Sequence, residues 1–237
     1  MSARAAPALP EPPVSPPAAN DAQAASGYAV PLLEAVAQAL AARAAAPDVG
    51  AALVQELERI QYALQARDPR RIRRDSSLFG RLLGRDLERQ AEAETLQAQL
   101  GVVLLRADAH AQALRHAGQA YAESAGVAEA GVAALERWIA AAPTPDPALA
   151  QAWNQRLDHL RRLAAAWRLE AAQWRLLQQQ GEDLLQRYRN IRDVLLPAWR
   201  QAAVTPQAAQ GRDHVARAAQ AQQHILAELQ AMRARLR

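Results

Sequence analysis

The chain contains no cysteine and no lysine, and aromatic residues make up only 4% of its 237 positions. The missing cysteine excludes disulfides, thiol catalysis and thiolate metal sites. With lysine absent, all 28 basic residues are arginine. Arginine's very high pKa then accounts for a sequence pI near 10.2 although net charge is only +4. Long apolar runs are also missing; none approaches the roughly 20 residues of a membrane span. β-branched residues are too sparse for a sheet. The first 20 residues hold six prolines and no apolar core, so they do not read as a secretory signal.

What is abundant is alanine, leucine, glutamine, glutamate and arginine, the composition of helices and coiled coils. Hydrophobic residues reach 51%, but alanine buries little area. Thin seams between long helices suit such a sequence better than a bulky globular core. The expected fold is all-α: an elongated bundle built on a long antiparallel, coiled-coil-like hairpin at about 86–203. Residues 1–27 are expected as a disordered Pro/Ala-rich tail, with 28–237 forming the helical domain.

In chain order, Pro12-Pro13 and Pro16-Pro17 forbid helix and favour polyproline II. Such a tract can also serve as a ligand for a proline-recognition surface. Helices are expected at 31–46, with Leu32, Leu33, Val36 and Leu40 on one stripe, and at about 49–66, with Leu53, Leu57, Ile60 and Leu64. Between 67 and 85, Arg70, Arg71, Arg73 and Arg74 precede Phe79, Leu82 and Leu83. These seven residues are the candidate interaction site. They suit an anion or a membrane surface, and equally a connecting elbow that plugs Phe79 into the bundle.

From Asp86 to Ala141 there is no proline, and one register holds throughout. Leu100, Ala107, Leu114, Tyr121, Ala128 and Leu135 recur every seven residues. Leu104, Ala111, Gly118, Ala125, Val132 and Ile139 sit four later. Gly118, Gly126 and Gly131 predict a soft or broken middle. Pro143-Thr144-Pro145-Asp146-Pro147 marks a turn, with the returning helix starting at Pro147 and running to about 203. Its seam is Trp153, Leu160, Trp167 and Trp174, then Tyr188 and Trp199, so four of the five tryptophans lie here. Pro197 should kink or end this helix. A last helix, about 206–236, carries only scattered apolar positions and is expected to pack loosely.

Nothing in the sequence announces chemistry. The five histidines lack metal-ligand spacing, and no paired carboxylates or phosphate loops occur. Arginines are interleaved with acids, so no basic stripe for nucleic acid forms. We therefore expect no enzyme activity, no cofactor, no small-molecule substrate and no nucleic-acid partner. Partner proteins or a homo-oligomer are expected, with peripheral membrane contact as a further option.

Four stretches carry a family resemblance. They are Ser77-Leu78-Phe79-Gly80-Arg81-Leu82-Leu83; Leu96 to Leu114 around Arg106 and Asp108; Arg156-Leu157-Asp158-His159-Leu160 with Gln173-Trp174-Arg175-Leu176-Leu177-Gln178; and Ile191 through Leu195-Leu196-Pro197-Ala198-Trp199-Arg200. Together they resemble the TelA-like toxic anion resistance family, known for tellurite resistance, over roughly 53–235. The usual Asn pair after the Gln motif is replaced by Gln179-Gln180-Gly181. The resemblance implies a cytoplasmic bacterial stress-response protein acting through interaction. The alternative is a coiled-coil scaffold or peripheral membrane adaptor unrelated to oxyanions.

Overall fold

A computed structural model describes residues 8–14, 22–41, 49–65, 85–145, 147–204 and 212–236. Its regular elements are all helical: α1 (Ala22–Gly27), α2 (Val30–Ala41), α3 (Val49–Gln65), α4 (Arg85–Ala140), α5 (Ala150–Arg189), a π-helical segment (Asn190–Leu195), α6 (Leu196–Val204) and α7 (Arg212–Arg235). The all-α expectation holds, with two long helices as its main elements. Among the described residues, no helix is long and apolar enough to cross a membrane.

The heptad register on α4 is borne out position by position. All twelve of its seam residues, Leu100 to Leu135 and Leu104 to Ile139, are buried or half-buried. The expected break in the middle is not there; α4 runs as one helix of 56 residues. Intrahelical hydrogen bonds and burial of the seam outweigh the roughly 1 kcal/mol that each glycine costs relative to alanine. Gly118 and Gly126 have open space where a Cβ would stand. Gly131 does not, because its Cβ would lie 3.1 Å from the Trp167 ring and 3.2 Å from Val36 Cγ1. Only glycine lets that ring approach the helix so closely.

The chain forms two compact units. Unit 1 comprises 1–46 and 117–179, and unit 2 comprises 47–116 and 180–237. Each long helix gives a segment to both.

In unit 1, Tyr28, Leu32, Val36, Leu135, Trp138, Trp153 and Leu160 build the core. Tyr28 sits edge-on to two tryptophans, at 5.1 Å from Trp138 and 5.3 Å from Trp153. Its hydroxyl donates to the Trp138 carbonyl at 2.7 Å. Ala29 takes φ 63°, a left-handed conformation that a non-glycine residue adopts only under constraint. The constraint is visible: Arg156 donates from Nε and Nη2 to the Tyr28 carbonyl, at 3.0 and 2.6 Å. Residues 8–14 and helix α1 are structured parts of this unit, inside the stretch that composition reads as a disordered tail. Leu9 packs against the core, and Trp138 Nε1 donates to the Pro10 carbonyl.

In unit 2, Leu53, Leu57 and Ile60 of α3 meet Leu100, Ala107, Ala111 and Leu114 of α4, with Leu184, Tyr188, Ile191 and Trp199 beside them. Helix α7 closes this core. The loose packing expected of it is corrected: Ala218, Ala221, Ile225, Leu229 and Met232 form a continuous buried stripe at three- and four-residue spacing. Two alanines supply inward positions that a search for large apolar side chains passes over.

Candidate functional site: the π-helical turn of unit 2

Pro197 has no N–H to give, and its ring collides with the carbonyl four residues back in an α-helix. The chain does not stop there, as the sequence reading allows. The turn over Asn190–Leu195 widens, and the Leu196 N–H bonds the Ile191 carbonyl five residues behind. One extra residue in that turn rotates the downstream helix, α6. Ile191, Leu196 and Trp199 all point into the core, while Val194 faces outward.

Around this turn gathers a network of polar side chains. Tyr188 Oη donates to Asp108 Oδ1 at 2.7 Å, and Arg192 Nη2 lies 3.2 Å from Asp108 Oδ2. Burial raises the Tyr188 phenol well above its ordinary pKa, and the hydrogen bond to the Asp108 carboxylate adds to this. The phenol is therefore a neutral donor at physiological pH. Glu228 of α7 accepts from Arg187 Nη1 at 2.7 Å and from Asn190 Nδ2 at 2.8 Å. The hydrogen bond to Glu228 raises the Arg187 pKa despite partial burial. Asp183 Oδ2 lies 3.2 Å from Arg235 Nε, and Arg233 Nε donates to Glu58 Oε1 at 2.7 Å. These charge-assisted ties link α4, α5, the π turn, α7 and α3. The network orients and fastens helices. Among the described residues, no cluster of His, Cys, Asp and Glu could hold a metal ion.

The predicted interaction residues Arg70, Arg71, Arg73, Arg74, Phe79, Leu82 and Leu83 lie outside the described residues. The predicted seam divides between the units. Trp153 and Leu160 are buried, and Trp167 and Trp174 half-buried, in unit 1. Trp174 stacks on Tyr121 at 5.6 Å. Tyr188 and Trp199 are buried in unit 2. Sequence reasoning places Tyr188 as a packing residue and misses its hydroxyl's role. Two signals point to it: Asp108 in a resembling stretch, and a proline inside an otherwise helical pattern. Trp138, the tryptophan outside the seam, and Tyr28 also escape a reading of the sequence alone.

Against known proteins, the chain is similar to protein KlaA of Escherichia coli, at 29% identity over 167 residues. The match covers 64% of this chain and 65% of KlaA, so it spans a little under two thirds of that relative. No family model matches the chain, and no solved structure matches it. The similarity stands beside the four stretches that resemble the TelA-like toxic anion resistance family.

Proposed function

We propose that this protein is a non-enzymatic stress protein of the tellurite-resistance type, acting by contact with a partner protein or a membrane-associated complex. The four stretches that resemble the TelA-like family, together with the similarity to KlaA, support the first half of that reading. The second half is supported by where the side chains go. The polar groups around the π turn engage one another as helix ties, while Leu169, Leu176 and Leu177 of α5 are left exposed. Leu169 and Leu176 are seven residues apart and share a helix face, the kind of apolar surface that helix-mediated contacts use.

Growth of a deletion strain across a tellurite series tests the reading. Sensitivity restored to the parental level by the wild-type gene supports it, and growth indistinguishable from the parent contradicts it. The alternative, a peripheral membrane adaptor, rests on the 70–83 segment. Co-sedimentation with anionic liposomes, lost on Phe79→Asp, would favour that alternative; no co-sedimentation would remove it.

A further inference from the structure

The segment Ala8-Leu9-Pro10-Glu11-Pro12-Pro13-Val14 is not a regular element, yet it is held at specific points on unit 1. Trp138 Nε1 donates to the Pro10 carbonyl at 3.0 Å. Arg137 grips both oxygens of Glu11, with Nε to Oε2 at 3.1 Å and Nη2 to Oε1 at 2.9 Å. Leu9 packs against the apolar core, and Pro10 and Pro12 are half-buried. The indole nitrogens of Trp153, Trp174 and Trp199 meet no acceptor among the described residues. Trp138 packs on Tyr28 within the core of unit 1, and its one N–H is turned to the strap.

This is the chemistry by which proline-rich peptides are recognised. A tryptophan offers an apolar face and one N–H to a carbonyl of an extended chain that proline has already stiffened. Proline fixes φ and removes competing donors, so little ordering entropy is lost on docking. The Arg137 fork adds a requirement for a carboxylate one residue after the contacted carbonyl.

We propose that the Trp138–Arg137 face is a binding site for an extended, acidic, proline-containing peptide of a partner protein, and that the chain's own Leu9–Pro12 occupies it in cis as a built-in competitor. The site stands independently of any role in anion resistance. A short tether gives the strap an effective concentration on the order of 1 mM. An exposed ion pair, one indole hydrogen bond and one leucine make a weak contact in trans. At an intrinsic Kd near 0.1 mM the strap would be docked about nine-tenths of the time, and a partner peptide would see its affinity cut about tenfold.

The test uses the full chain, 15N-labelled, and a synthetic peptide of residues 8–14. The Trp138 indole N–H signal, assigned by its loss in Trp138→Phe, is the readout. Leu9→Asp should move that signal to a strap-free position, and added peptide should return it toward the wild-type position. The variant should take the peptide about tenfold more tightly than the wild type does. Arg137→Glu should release the strap by charge repulsion. It should then accept a peptide carrying Arg in place of Glu, while rejecting the native one by about fivefold or more. Equal binding to wild type and Leu9→Asp, no binding to either, or failure of Arg137→Glu to discriminate the two peptides would overturn the proposal. So would a wild type that is dimeric by light scattering and becomes monomeric with Leu9→Asp, since the strap would then be exchanged between copies.

Discussion

At the scale of single residues, Tyr188 and Gly131 show how burial decides what a side chain is worth. Tyr188 is nearly inaccessible, and its hydroxyl finds one acceptor, Asp108 Oδ1. Tyr188→Phe leaves that carboxylate with Arg192 alone and should cost about 1–2 kcal/mol in urea unfolding at neutral pH. The same phenol makes a pH prediction. Its pKa is raised in the folded state, so above the unfolded value of about 10 the folded state holds a proton that the unfolded state has lost. Stability from this group is complete below about pH 10 and declines as pH climbs through the folded value. Wild type should therefore lose more stability than Tyr188→Phe between pH 8 and pH 11; equal losses would show that the phenol is not shielded. The glycines of α4 give a paired test. Gly118→Ala meets open space and should stabilise by about 0.5–1 kcal/mol. Gly131→Ala presses a methyl between the Trp167 ring and Val36, and should destabilise despite the better helix propensity. Thermal melts of the two variants check the opposite signs.

At the scale of elements, the helices and their inward faces are largely legible, because a seven-residue repeat leaves few ways to bury a stripe. The start of α2 and the bounds of α3 lie close to expectation, and α4 begins at Arg85; the expected end of α2 near 46 lies outside the described residues. The features that escape the sequence have specific causes. Helix α5 begins at Ala150, after a turn at 147–149, so Pro147 is a turn residue rather than the first helical one. The π turn at Asn190–Leu195 is a local answer to Pro197 that needs the core of unit 2 to select it; periodicity places Trp199 on the seam but does not show the widened turn that brings Leu196 inward beside it. The docking of Leu9–Glu11 depends on residues more than a hundred positions away, and composition alone reads the segment as tail. Helix α7 is underrated because alanine carries much of its inner face. Ile225 is inaccessible in the core, so Ile225→Ala should cost about 2–5 kcal/mol by chemical denaturation. A change below about 0.5 kcal/mol would mean that α7 is only loosely attached after all, since surface substitutions fall in that range.

At the scale of the whole molecule, two compact units share two long helices, and the chain is similar to KlaA over 64% of its length. Under the proposed function, resistance of the tellurite type works through an exposed surface rather than through a reaction. The direct measurement is complementation of the deletion strain on tellurite by Leu169→Glu/Leu176→Glu, with the variant's melting temperature and helical circular dichroism measured alongside. Both leucines are exposed on α5, so the fold should be unchanged to within about 0.5 kcal/mol. The account predicts that this folded variant fails to restore resistance while the wild type succeeds. Full rescue by the variant would contradict a surface-borne function on this helix, and a deletion strain as resistant as its parent would contradict the proposed resistance role.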